Sequence, residues 1–366
     1  MSDRAFMAQA LALAALGEGT TSPNPQVGCV LVQGDTVVGR GFHRAAGSHH
    51  AEVVALAEAG DRAAGATLYV NLEPCAHHGR TGPCTEAIVN ARVRRVVAAV
   101  GDPNPLVDGR GLSALRDAGV LVTTGVLEAE ARAQNAAFFS THERHRPWVT
   151  LKAAQSLDGR ISAAGFSSTW ITGEAARRFA HRLRFRHDAV LVGAETVRQD
   201  DPRLTVRLPG VEADRVRVVL APHLALSPQS KVFVRDRASA PLTRIYVAGD
   251  CEDVDASRFR DAATVVRVAR SAAGLDLAAV LADLAREGIQ SLLVEGGGRT
   301  AGAFLGAGLI DEIVLFVASS LLGSTGATPV IDLPAVTEPK NAWRVASPAL
   351  VPIGADWIVI GRPGAR

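Results

Sequence analysis

One spacing constrains this chain more than any other feature. His50-Ala51-Glu52 is followed by Glu73-Pro74-Cys75 and then by Pro83-Cys84, with eight residues between the two cysteines. One imidazole and two thiolates supply three metal ligands, and three ligands leave one corner of a tetrahedral zinc open. Glu52 is not needed as a ligand. Two residues past the histidine, it is suited to carry protons between water and a leaving group. Both cysteines follow prolines, which fix φ and bias the preceding residue to extended or turn shapes. Cys84 is placed to open a helix, whose N-terminal dipole favours a thiolate.

The chain has 366 residues, more than one core usually holds, so two domains are expected. Hydrophobic residues make up 48% and charged residues 21%, ordinary for a globular protein. The formal net charge of +2 builds no broad field for nucleic acid or anionic membrane. It leaves room for a small anionic substrate held by local arginines. The four cysteines, Cys29, Cys75, Cys84 and Cys251, are too few for a disulfide framework and point to a reducing, cytoplasmic setting. Cys29 lies mid-strand and reads as a small core residue. The apolar stretch Ala8–Leu16 is too short to span a bilayer and reads as an amphipathic surface helix.

The first part of the chain alternates helices and strands. Helices are expected at Met7–Leu16, His50–Ala59, Cys84–Ala91, Leu112–Ala118 and Glu128–Phe139. Strands are expected at Val27–Val32, Thr36–Gly39, Thr67–Asn71, Arg95–Val100 and Val120–Thr123. This is the pattern of a three-layer α/β/α domain. The polar run from Ser140 to Pro147 marks the boundary, so the domains are 1–145 and 146–366. A second α/β pattern follows. Its strands are expected at Val149–Ala154, Ala189–Val192, Val216–Leu220, Arg244–Val247, Val265–Val268, Ser291–Val294, Ile313–Val317 and Trp357–Ile360. Its helices are expected at Leu275–Glu287 and from Thr300.

His-x-Glu followed by two Pro-Cys pairs is the layout of the zinc nucleobase deaminases, although their cysteines are usually two residues apart. A closed structural zinc, or two buried thiols, is the plainer alternative, but structural sites usually take four protein ligands. His49, His77 and His78 compete for the imidazole position; His50 alone stands two before Glu52. Upstream, Asn24 sits between Pro23 and Pro25, where a rigid carboxamide offers both donor and acceptor, or serves as an ordinary turn residue. In the second domain Glu295-Gly296-Gly297-Gly298 joins a strand to a helix. Such a turn lets backbone N–H groups approach phosphate. It also describes any flexible turn, and it lacks the Gly-x-Gly-x-x-Gly of the dinucleotide fingerprint.

The stretches Thr21–Cys29, His50–Glu52, Glu73–Cys84, Gly101–Pro105 and Gly109–Gly111 resemble the bifunctional deaminase/reductase family of riboflavin biosynthesis. So do Leu151-Lys152, Ser156–Arg160, Trp170–Thr172, Asp200–Pro202 and Glu295–Gly298. The likeness runs through nearly the whole chain, and the His-His-Gly-Arg-Thr insert between the cysteines is its most specific part. It implies a cytidine-deaminase-like N-terminal domain and a dihydrofolate-reductase-like C-terminal α/β domain. The first would remove the 2-amino group of a diaminopyrimidinone bearing a phosphoribosylamino arm. The second would reduce the ring-opened ribosyl imine to a ribitylamine with NADPH.

The resemblance implies Zn2+ on His50, Cys75 and Cys84, with Glu52 as proton carrier and Asn24, His77 and Arg80 as substrate contacts. It implies Ala154, Trp170, Thr196, Asp200, Gly297 and Gly298 at NADPH. Ser168, Arg184, Leu204, Arg207 and Glu295 then meet the second substrate, with Lys152 orienting it or supplying a proton. Arg184 and Arg207 suit a phosphate as a guanidinium pair; the plainer reading is a solvated basic face, and Trp170 could equally be core. Two positions depart from the family: Val54 stands where histidine is frequent, and Gly82 where proline is common. The expected partners are a small phosphorylated pyrimidine and further copies of the chain, as dimer or tetramer, with no nucleic acid and no membrane. Three rival readings remain: a single-activity deaminase with a nucleotide-binding regulatory domain, a non-catalytic zinc scaffold, and a polynucleotide deaminase. Near-neutral charge and the lack of an aromatic-basic stripe weigh against the last.

Overall fold

A computed structural model describes residues 2–77, 82–163, 170–211, 213–235, 243–251, 255–271, 274–323 and 325–364. The chain divides into two compact units, Met1–His145 and Arg146–Arg366.

The first unit is built on a five-stranded sheet of β1 (Gly28–Gln33), β2 (Thr36–Phe42), β3 (Thr67–Val70), β4 (Arg95–Ala98) and β5 (Leu121–Thr124), in the order β2-β1-β3-β4-β5. β1 is antiparallel to β2 and β3; β3, β4 and β5 run parallel. Among the described residues six α-helices cover it: α1 (Asp3–Ala14), α2 (Ala51–Ala59), α3 (Cys84–Asn90), α4 (Arg110–Asp117), α5 (Glu128–Gln134) and α6 (Ala136–Arg144). One core joins Leu31 and Leu68 to Ala55 of α2, Ile88 of α3 and Leu115 of α4. The other joins Val30 and Tyr69 to Phe6 of α1, Ala131 of α5 and Phe138 of α6. Alternate residues of each strand feed opposite faces, which gives three layers.

The helix expected at Glu128–Phe139 is interrupted. Asn135 takes φ −105° and ψ 26° between α5 and α6. Its carboxamide is committed elsewhere, accepting from the Gln26 N–H and donating to the Gln26 carbonyl. The polar run after Ser140 is then mostly helix α6, not linker.

The second unit contains a nine-stranded sheet. Its strands are β6 (Trp148–Ser156), β7 (Ala189–Gly193), β8 (Val216–Leu220), β9 (Thr243–Ala248), β10 (Ala263–Val268), β11 (Ser291–Val294), β12 (Glu312–Ala318), β13 (Val345–Ile353) and β14 (Asp356–Pro363). The order is β10-β9-β8-β7-β11-β6-β12-β14-β13. The strands from β10 to β12 run parallel, and β14 and β13 close the edge antiparallel. Helices α7 (Glu174–Arg186) and α8 (Ala194–Asp200) pack one face through Leu183 and Val197. Helices α9 (Leu277–Arg286) and α10 (Gly298–Gly306) pack the other through Leu281 and Phe304. The parallel sheet with helices on both faces is the α/β architecture expected.

Candidate active sites

Two glycines bring the first site together. A Cβ on Gly39 would lie 2.2 Å from the Ala55 carbonyl oxygen, and one on Gly41 2.1 Å from that of Ala51. Helix α2 therefore rests directly on the β2 backbone, an approach only glycine permits. His50 stands at the N-cap of α2 and Glu52 in its first turn. Pro83 is the N-cap of α3, so Cys84 opens that helix. Cys75 follows β3 through Glu73-Pro74, and its carbonyl accepts from the Thr85 N–H. Glu73 anchors this loop. Its carboxylate is buried and accepts four backbone N–H groups, from Asp102, Gly109, Gly111 and Leu112. Two of these are orphan donors in the first turn of α4.

The donor atoms converge. His50 Nδ1 lies 3.1 Å from Cys84 Sγ and 3.5 Å from Cys75 Sγ. Nitrogen and both sulfurs fall within 4.8 Å of one another, the one such His/Cys/Asp/Glu group among the described residues. One nitrogen and two sulfurs suit zinc, and three protein ligands match the count of a catalytic site. The hydrogen bond from Cys84, with His50 beside it, holds the Cys75 thiol far below the usual range and the Cys84 thiol above it. A separate hydrogen bond, between the His50 ring and Cys75, raises His50. Burial pushes the Glu52 carboxyl up, toward the range of a group that can hold and release a proton. Glu52 is 4% exposed, walled off from bulk water yet in the same helical turn as the ligand histidine.

Asn24 borders this region with a partner the sequence reading missed. Its Nδ2 lies 3.0 Å from His43 Nε2, and His43 Nδ1 lies 3.1 Å from the His49 carbonyl oxygen. The carbonyl can only accept, so Nδ1 carries the proton and Nε2 accepts from Asn24. A His at the end of β2, close to His50 in sequence, was the available signal. His77 is exposed; Arg80 lies outside the described residues.

The second site forms at the carboxyl ends of β7 and β11. Glu295 follows β11 and donates its N–H to the Leu191 carbonyl. Its buried carboxylate takes Arg184 of α7 in a two-point bond, Nε to Oε1 at 2.7 Å and Nη2 to Oε2 at 2.8 Å. Lys152 Nζ is 4.0 Å away. Burial works against the Glu295 charge, but Arg184 and then Lys152 overcome it and hold the carboxyl at about 2. Burial lowers Lys152. Lys152 stands in the middle of β6.

Leu204 is buried at φ +55°, a left-handed bend uncommon for leucine, and the Thr205 carbonyl just beyond it accepts from Arg184 Nη1. Arg207 is exposed and lies against His181. Ser168 lies outside the described residues.

The glycine run ends at α10, with Gly297 as N-cap and no side chain capping the helix. Its first N–H groups are thus left for an anion, which fits a dinucleotide phosphate. A Cβ on Gly298 would lie 2.6 Å from the Pro329 carbonyl oxygen. Trp170 is 71% exposed and carries the Arg177 guanidinium over its ring, so it is not core. Ala154 lies on β6, and Thr196 and Asp200 on α8.

A three-ligand zinc site with a buried acid, on an α/β/α sandwich, defines a nucleobase-type zinc deaminase. Residues 1–100 match the family of the cytidine and deoxycytidylate deaminase zinc-binding region, and residues 147–357 match the RibD C-terminal domain. The riboflavin biosynthesis protein RibD of Aquifex aeolicus is 44% identical over 321 residues, covering 88% of each chain. That of Escherichia coli is 39% identical, covering 97% of this chain and 98% of its own. Acinetobacter baumannii RibD superposes with a TM-score of 0.89 at 36% identity, over 99% of both chains. The diaminohydroxyphosphoribosylaminopyrimidine deaminase/5-amino-6-(5-phosphoribosylamino)uracil reductase of Thermotoga maritima does so at 0.84 and 32%, again over 99% of both.

The chain belongs to the RibD family of riboflavin biosynthesis proteins. It is a bifunctional enzyme, a zinc-dependent deaminase joined to an NADPH-dependent reductase.

Proposed function

We propose that residues 1–145 deaminate 2,5-diamino-6-ribosylamino-4(3H)-pyrimidinone 5′-phosphate, and that residues 146–366 reduce the resulting 5-amino-6-(5-phosphoribosylamino)uracil to its ribitylamino product. The convergence of His50, Cys75 and Cys84 beside the buried Glu52 carries this reading. Zinc, when bound by those three side chains, supplies Lewis-acid activation of water. Glu52 moves a proton from the attacking water to the exocyclic nitrogen, which leaves as ammonia; one carboxyl serves first as base and then as acid. Asn24, held by His43, presents its remaining amide groups to the pyrimidine, and His77 and Arg80 contact the phosphoribosyl arm.

In the reductase, NADPH supplies the hydride when bound. Ala154, Trp170, Thr196, Asp200, Gly297 and Gly298 hold the dinucleotide, with α10 facing a phosphate. Arg184, Arg207, Ser168 and Leu204 bind the substrate's phosphorylated arm. Glu295 fixes Arg184 and faces Lys152, which gives a proton to the imine nitrogen as the carbon is reduced. Burial favours the neutral amine, so the charged form releases its proton readily.

We place the enzyme in the cytoplasm as a homo-oligomer, dimer or tetramer. None of the four cysteines forms a disulfide, and no helix among the described residues is long and apolar enough to cross a membrane. One purified sample tests the whole reading. The expected result is one zinc per chain, ammonia release from the diaminopyrimidinone, and NADPH oxidation on the deaminated product. Ammonia release without NADPH oxidation would reduce the C-terminal unit to a regulator.

A further inference from the structure

We infer that His181 is a positioning residue of the reductase: its neutral ring holds the Arg207 guanidinium in place for the substrate phosphate. The inference rests on the role proposed above for Arg207. The two arginines of the site are held in different ways. Arg184 is fixed by Glu295 on two points. Arg207 meets no carboxylate at ion-pair distance among the described residues. It lies along the His181 ring instead, with Nε 3.3 Å and Nη2 3.2 Å from Nε2, and its backbone nitrogen 3.3 Å from Nδ1.

A guanidinium and a backbone N–H can only donate. The neutral imidazole has a single lone pair; with it on Nε2 the ring receives the guanidinium, and the N–H on Nδ1 is left for the Thr205 carbonyl rather than for the Arg207 N–H. A doubly protonated ring offers no lone pair and adds a third cation beside Arg184 and Arg207. Burial, then the charges of Arg184 and Arg207, hold the ring at about 4, so it stays neutral at ordinary pH.

His181 and Arg184 are three residues apart on α7 and share a face of that helix. One helix thus carries one arginine of the site and the holder of the other. An exposed arginine loses much rotamer freedom when a phosphate immobilises it. Holding it beforehand shifts that loss from the binding step to folding.

The test compares His181→Leu, His181→Gln and Arg207→Ala in the full-length enzyme, with saturating NADPH and the deaminated phosphorylated substrate. Gln keeps an acceptor near the place of Nε2; Leu does not. His181→Leu should raise the reductase KM roughly tenfold, the scale of one hydrogen bond to a charged group. Reductase kcat and deaminase turnover should stay near wild type. His181→Gln should restore most of the KM, and Arg207→Ala should raise it whether or not His181 is also replaced. A wild-type KM in His181→Leu, or equal damage from Leu and Gln, with Arg207→Ala still impaired, overturns the role of His181 alone. An unchanged KM in Arg207→Ala overturns the phosphate reading, and this inference with it.

Discussion

Glu52 shows how one side chain's surroundings prepare it for two jobs. A carboxyl at a helix N-terminus would ordinarily be favoured as the anion. Here burial dominates and raises it, which is what a group that must both take and return a proton requires. Replacing Glu52 with Gln preserves shape and burial but removes the exchangeable proton. Zinc content should be unchanged, and ammonia release should fall by roughly two to four orders of magnitude. Normal turnover at normal metal content would remove Glu52 from the reaction. Glu73, two residues before Cys75, is a carboxylate of the opposite kind, acting through four backbone N–H groups. It was visible in the sequence as part of Glu-Pro-Cys, but its partners lie 29 to 39 positions along the chain, beyond what local spacing reports.

At the scale of elements, α7 does the most for the reductase unit and was the hardest to foresee. Its sequence, Glu-Ala-Ala-Arg-Arg-Phe-Ala-His-Arg-Leu-Arg-Phe-Arg, has a strongly basic exposed face that masks the buried stripe at Ala176 and Leu183. Edge strand β13 escaped notice for a similar reason: it is mostly exposed and contains two prolines, which edge strands tolerate. The strands β7, β8, β9 and β11 were legible because strands buried on both faces read as short aliphatic runs. The metal site was legible because its ligand types and prolines are local. Convergence of Lys152, Arg184 and Glu295 was not, since it depends on strand order.

Helix α7 also ends on a pH-sensitive contact. His187 is buried, with Nδ1 2.7 Å from the Leu183 carbonyl oxygen and Nε2 2.9 Å from Thr150 Oγ1. Burial holds the ring down at about 4, while the unfolded chain takes its proton near the ordinary value of 6.5. The unfolded state therefore binds more protons between those limits. This contribution is complete above pH 6.5 and is lost as pH falls toward 4, by about 3 kcal/mol at most. Urea midpoints across that window should show the slope, and His187→Gln, which can keep both hydrogen bonds, should flatten it. An equal slope in the variant would assign the pH dependence to other groups.

On the scale of the whole molecule, two α/β units solve different problems with the same layers. The first uses a mixed five-stranded sheet to set a helix start, a loop and a second helix start around one metal. The second brings a glycine turn and a helix N-terminus to the carboxyl end of one parallel strand, beside Glu295 and Arg184. The separate cores predict separable activities. The most direct test strips the metal from purified enzyme and follows both reactions in that one preparation. Ammonia release should vanish and return with added zinc, while NADPH oxidation on the deaminated substrate continues throughout. Full ammonia release from metal-free protein would contradict the account.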